Sequence, residues 1–113
     1  LSNINLSEIC NRSLIDSKAE DILLLNVQDI SSFADEMIIA TANSNRHAAS
    51  VSEKLVSHLN TNNIKVIGVE GEVESGWILV DCGDIVINIM KKDQRDFYDL
   101  EGLWGNHNFS SKS

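Results

Sequence analysis

The sequence predicts an α/β domain built on a five-stranded mixed sheet flanked by helices. Three observations predict it. Five short apolar runs are bounded by turn residues, a long stretch of helical periodicity separates the second run from the third, and shorter helical patterns open and close the chain. With 42% hydrophobic and 23% charged residues in 113 positions, the chain can close one core without staples, so a folded domain is expected rather than disorder. There is no internal repeat, low-complexity segment, linker or proline. Residues 1–113 are therefore read as a single domain, with 106–113 a disordered tail.

The elements follow in order. Asn5 with Glu8 three residues on fits an N-cap with a carboxylate in the first turn, and Leu6, Ile9, Cys10 and Leu14 recur at helical spacing. After the polar stretch Asp16 to Asp21, the run Ile22, Leu23, Leu24, Leu25 and Val27 is expected to be a strand covered on both faces, and Met37 to Ala40 a second such strand. Asn43 and Ser44 open a long helix on which Ala48, Val51, Leu55 and Leu59 share a face; Asn62 and Asn63 stop it, and its length suits a crossover packed on the sheet. Strands at Val66 to Val69, Trp77 to Asp81 and Ile85 to Met90 follow, the last two joined by a two-residue hairpin at Cys82 and Gly83. Phe97, Leu100 and Trp104 mark a closing helix that Gly105 terminates, with Phe97 and Leu100 filling core.

Charge narrows the function. Nine Lys and Arg against seventeen Asp and Glu give a formal charge of −8, which repels phosphate backbones and disfavours direct binding to DNA or other exposed nucleic acid. A basic protein partner is favoured instead. Between Lys65 and Lys91 lie Glu70, Glu72, Glu74, Asp81 and Asp84 with no base among them, although acidic loops are often merely solvated. No apolar run approaches the roughly 20 residues of a membrane span, and the start lacks the basic-then-apolar pattern of a signal peptide. No membrane association and a cytosol-like compartment are expected.

Signals for chemistry are weak. There is no Gly-rich phosphate loop, no His-Glu-x-x-His and no G-x-S-x-G elbow, and no cofactor is implied. His47, His58 and His107 are scattered and read as surface or capping residues. Cys10 and Cys82 lack metal-ligand spacing and read as buried free thiols in preference to a disulfide or redox pair. Asp81 and Asp84 bracket a tight turn, where local hydrogen bonding explains them better than paired-carboxylate catalysis. Ser44 fits helix capping, and Arg46 either pairs with Asp35 or Glu36 or meets a partner. Trp77 beside the acidic turn, with Tyr98 and Trp104 later, is equally a core residue or part of an interaction patch.

A succession of segments carries a resemblance. Lys18-Ala19-Glu20-Asp21-Ile22, Ser32-Phe33-Ala34-Asp35 leading into Met37-Ile38-Ile39-Ala40-Thr41, and Ser44-Asn45-Arg46-His47 are similar to the opening half of RsfS/Iojap proteins. Gly68-Val69-Glu70-Gly71, Gly76-Trp77-Ile78-Leu79-Val80-Asp81, Gly83-Asp84-Ile85-Val86 and Phe97-Tyr98-Asp99-Leu100-Glu101-Gly102-Leu103-Trp104 resemble the second half. No single motif is specific; the order and spacing from about Leu6 to Trp104 are. Asn88 departs from a usual histidine, Ala42-Asn43 from a glycine-containing turn, and Cys82 from an aromatic or aliphatic residue.

The resemblance implies a nucleotidyltransferase-like fold, frequently a homodimer, and a ribosomal silencing factor that is not an enzyme. Such a protein binds universal large-subunit protein fourteen on the large ribosomal subunit and sterically blocks small-subunit joining, while organelle relatives assist large-subunit assembly. It implies a cytoplasmic location or, alternatively, a mitochondrial or plastid matrix. Glu70, Trp77, Asp81, Asp84, Tyr98 and Asp99 match the family pattern and form the expected contact surface. Two other readings remain open. A nucleotidyltransferase enzyme would need a Gly-Ser turn followed by Asp-x-Asp, where this chain has Ser44-Asn45 and no downstream Asp-x-Asp. A dimeric scaffold without a ribosomal role would leave the acidic loops simply solvated.

Overall fold

The computed structural model describes residues 5–29, 31–32 and 34–103. In chain order it has α1 (Leu6–Asp16), β1 (Glu20–Asn26), β2 (Glu36–Ala42), α2 (Asn45–Thr61), β3 (Gly68–Glu70), a 3-10 turn (Val73–Ser75), β4 (Trp77–Asp81), β5 (Ile85–Lys91) and α3 (Lys92–Tyr98). The five strands form one sheet in the order β1-β2-β5-β4-β3. Among the described strands β2 and β5 run parallel, and the other three pairs are antiparallel. A parallel pair needs a long connection, and the span containing α2, β3 and β4 supplies it.

Local chemistry sets the helix ends as the sequence indicates. The Asn5 side chain accepts the Ser7 backbone N–H at 2.8 Å, and Ser44 Oγ accepts that of His47 at 3.0 Å, so each hydroxyl or amide oxygen satisfies a donor with no partner in the first turn. Asn62 caps the C-terminus of α2, and Asn63 continues in the left-handed region at φ 60°.

Strand register then sorts side chains onto two faces. Ile38 and Ala40 of β2, Ile87 and Ile89 of β5, and Ile78 and Val80 of β4 share one face, where Cys10 and Leu14 of α1 and Val51, Leu55 and Leu59 of α2 seal them from water. Burying each such aliphatic side chain contributes about 1.5–3 kcal/mol, which makes this layer the main source of stability. The opposite face carries Met37, Ile39 and Met90 in a smaller cluster with Val27, joined at its margin by Leu25, Trp77 and Leu100. Among the described residues, α3 and the helical residues from 100 onward attend that side, with Tyr98 beside Trp77 and Leu100 on the cluster.

Several expectations need correction. β1 is an edge strand paired on one side only, so it is half-exposed rather than covered on both faces, and Leu24 remains 48% exposed. β3 begins at Gly68 instead of Val66, because it pairs only as far as β4 extends. In the β4–β5 hairpin Cys82 N–H donates to Ile85 O at 2.9 Å, so the two central residues are Gly83 and Asp84, one position later than expected. Gly83 takes φ 88°, which a side chain would strain. The closing helix is not continuous: Asp99 adopts φ 49° at its C-cap, and helical geometry resumes at residue 100. Within α3 Arg95 faces inward, so Phe97, about 200° further round the helix, points outward at 79% exposure, whereas Leu100 beyond the break packs on the smaller cluster as expected. Trp104, Gly105, His107 and the expected tail lie outside the described residues.

Arg46 is exposed and makes no ion pair with Asp35 or Glu36. Those acids precede or begin β2, whereas Arg46 follows its far end, roughly 20 Å away at the rise of a strand. His47 behaves as a capping residue: its Nδ1 accepts the Asn43 N–H at 3.0 Å, which leaves Nε2 to donate to Ser17 O at 2.8 Å.

Candidate functional site

The less covered face of the sheet presents a groove whose floor is β4. Trp77 and Leu79 alternate onto this face, and the register of β3 places Glu70 beside Leu79. The groove has a volume of 330 Å³ and is lined by Glu70, Gly71, Ser75, Trp77, Leu79, Gln94 and Tyr98. Gly71 is required here for two reasons: its φ is 101°, and a Cβ would collide with the backbone carbonyl of Trp77. Close approach of those two backbones sets the groove wall.

Trp77 is held rather than loose. Its indole Nε1–H donates to Asn88 Oδ1 at 2.9 Å, and its backbone N–H donates to Ser75 Oγ at 3.2 Å. Asn88 projects from the centre of β5 with 1% exposure, and its Nδ2 has no partner. A buried amide with one group satisfied orients the indole at the cost of an unpaired donor, whose burial is unfavourable by about 1–3 kcal/mol. The Tyr98 ring stands 4.8 Å from that of Trp77 at 51°, and Phe97 meets Tyr98 edge-on at 5.0 Å. Three aromatic rings thus run from the sheet out to solvent.

Tyr98 reaches Trp77 because Arg95 anchors α3. Seven residues are too few for a helix to persist unaided in water. Arg95 is buried and bridges three segments: one terminal nitrogen donates to Asp21 O at 2.6 Å and Thr41 Oγ1 at 2.8 Å, while Nε donates to Glu101 Oε2 at 3.0 Å. The guanidinium fork matches several acceptors at once and so fixes the helix on β1 and β2.

The structure brings together some of the expected contact residues and separates others. Glu70, Trp77 and Tyr98 line one groove. Asp81 shares their face of the sheet, but its Oδ1 accepts the Gly83 N–H at 2.8 Å, which makes it a turn-stabilising residue. Asp84 is exposed in the hairpin at the opposite end of β4 from Trp77, and its carbonyl accepts the N–H groups of Asp35 and Glu36. Asp99 forms the left-handed cap of α3, with Oδ1 accepting the Gly102 N–H at 3.1 Å, and does not line the groove. Leu79, Gln94, Asn88 and Arg95 belong to the site or its support and were missed. Leu79 alone had a signal, its two-residue spacing from Trp77 along a strand.

The arrangement offers apolar area, flat rings and a carboxylate, which suits recognition of a protein surface. Among the described residues, no group of three His, Cys, Asp or Glu side chains could hold a metal ion. Ser13 Oγ lies 2.6 Å from His58 Nδ1, a spacing seen in nucleophile–base pairs, but Ser13 is buried where α1 packs on α2. No helix among the described residues is long and apolar enough to cross a membrane.

Comparison with known proteins places the whole chain. Residues 2–113 match the family model described as ribosomal silencing factor during starvation, RsfS. A relative named ribosomal silencing factor RsfS from Bacillus subtilis is 40% identical over 90 residues, covering 80% of this chain and 76% of that protein. A crystal structure from Chromobacterium violaceum superposes with a TM-score of 0.85 at 35% identity, covering 88% of this chain and 83% of the other. More distantly, the mouse protein named mitochondrial assembly of ribosomal large subunit protein 1 is 30% identical over 97 residues, which cover 83% of this chain and 42% of that one.

Proposed function

This chain belongs to the RsfS family of ribosomal silencing factors, and from that premise we propose that it acts by binding alone: the Trp77–Tyr98 groove grips universal large-subunit protein fourteen, and the domain then blocks small-subunit joining. Translation is repressed because the docking face is occupied, and no bond in the partner is made or broken. The same bound state would serve large-subunit assembly, the role printed in the name of the mouse relative. Its place of action follows its ribosome, the bacterial cytoplasm first and a mitochondrial or plastid matrix as the alternative.

The observation that carries this reading is the groove itself, in which aromatic rings stand beside Glu70 on a chain of net charge −8. Large, already ordered rings supply binding area at small entropic cost, and acidic surroundings steer a basic ribosomal protein while discouraging contact with rRNA. A second copy of this chain is a further partner of the proposal, for which β3 offers an unpaired outer edge with Ile67 and Val69 exposed.

Co-sedimentation with purified subunits tests the proposal. The chain should travel with large subunits, remain off small subunits and joined ribosomes, and slow subunit joining. Trp77→Ala is expected to weaken that association by roughly 1–3 kcal/mol with the fold intact, and Asp81→Lys by less, because its carboxylate is engaged in the turn. Unimpaired subunit joining at saturating protein, or unchanged binding by the Trp77 variant, refutes the assignment of this groove.

A further inference from the structure

The two outer edges of the sheet are not alike. β3 spans three residues, whereas β1 spans seven and is paired on one side only. An open edge of that length is a template for another strand unless lysine, proline, a bulge or a covering segment blunts it. From Glu20 to Asn26 there is no lysine, arginine or proline, the register shift is confined to the end between Glu20 and Leu23, and no described strand lies outside β1. Its middle is the apolar run Ile22 to Leu25, with Leu24 on the surface.

Register shows which backbone groups are free. Val27 N–H donates to Asp35 O at 2.9 Å, so by alternation Leu25 and Leu23 also turn their polar groups toward β2. Leu24 and Asn26 therefore direct N–H and C=O outward. On the helix-covered face, Ile22 and Leu24 meet α1 across a hollow of 290 Å³, lined also by Ser7, Glu8, Asn11 and Ile38. The start of the strand is already fixed, because Arg95 donates to Asp21 O at 2.6 Å. We propose that this edge receives an extended basic segment of a partner protein, which adds as a further antiparallel or parallel strand and seats apolar side chains in the hollow beside Leu24.

Charge selects the occupant. Glu8 stands on the wall of the hollow, and Glu20 and Asp21 lie at the start of the strand; all three are exposed, and none is ion-paired among the described residues. The nearest base in sequence, Lys18, falls outside the strand. A second copy of this chain would meet the edge with the same three carboxylates, whereas a segment that alternates apolar and basic residues places bases near them. In strand addition the main-chain bonds supply affinity and the pockets for alternate side chains supply selectivity, and β1 offers both. The site lies at the far edge of the sheet from β3 and β4, so it is separate from the Trp77 groove.

A fluorescent peptide of about eight residues in which valine and lysine alternate, titrated against the intact protein and followed by anisotropy and amide exchange, tests this. It should bind, slow exchange of the Leu24 and Asn26 amides, and lose at least about fivefold in affinity as salt is raised from low to physiological strength. The same peptide N-methylated throughout should not bind. Leu24→Lys, whose fold circular dichroism checks, should weaken binding at least about tenfold, whereas Trp77→Ala should leave it unchanged. Failure of the lysine peptide to bind, equal binding by a valine–glutamate peptide, or binding that survives N-methylation or Leu24→Lys would each overturn the proposal. So would protection of Leu24 and Asn26 that rises with protein concentration in the absence of peptide, because it would put a second copy on this edge.

Discussion

The two faces of the sheet are made by the same five strands and do different work. One face is sealed by two helices of eleven and seventeen residues, with Leu14, Val51, Leu55 and Leu59 wholly removed from water. The other is attended by a seven-residue helix that depends on Arg95 for its position, and it leaves Trp77 and Tyr98 partly open. A domain this small gains most of its stability from one well-packed layer, and the second layer is then free to present side chains that a core would hide. The difference separates residues whose loss unfolds the chain from those whose loss should only blunt recognition.

That separation can be broken experimentally. The largest effect is expected from Leu55→Ala on the sealed face, where the cavity should cost about 2–5 kcal/mol in urea unfolding while binding by the folded fraction is unchanged. A smaller effect is expected at the seam between the faces: Arg95→Met removes three hydrogen bonds, should cost about 2 kcal/mol, and should also weaken association with large subunits because Tyr98 loses its support. A variant that lost stability but bound normally would show that α3 does not position the groove. The smallest effect is expected from Lys92→Ala, whose ion pair with Asp96 spans 3.3 Å between exposed side chains; under about 0.5 kcal/mol should be lost, with no change in binding.

How much of this was legible in the sequence differs between the same two faces. The sealed face announced itself, because Ala48, Val51, Leu55 and Leu59 repeat at helical spacing and the caps at Asn5 and Ser44 are local signals. The strand runs were also legible, but edge position was not, since Leu24 becomes half-exposed only through a pairing order decided across the whole sheet. On the open face, Trp77, Glu70 and Tyr98 could be picked out by residue type and resemblance, whereas Asp84 and Asp99 could not be told from contact residues until their turn and cap geometry was known. Arg95 carried no signal: its neighbours in sequence are polar, and its acceptors at Asp21 and Thr41 are brought to it only by the folded sheet.

The parallel pairing of β2 with β5 also has a consequence in time. β2 can use only β1 as a partner while the chain is being made, and its other edge stays open until everything through Lys91 has emerged. The sheet cannot close in stages from its beginning, because the entropy of the intervening loop must be surrendered before the central ladder returns any stabilisation. Folding should therefore be late and abrupt during synthesis, with the newborn chain dependent on protection of one apolar strand edge until its final strand arrives.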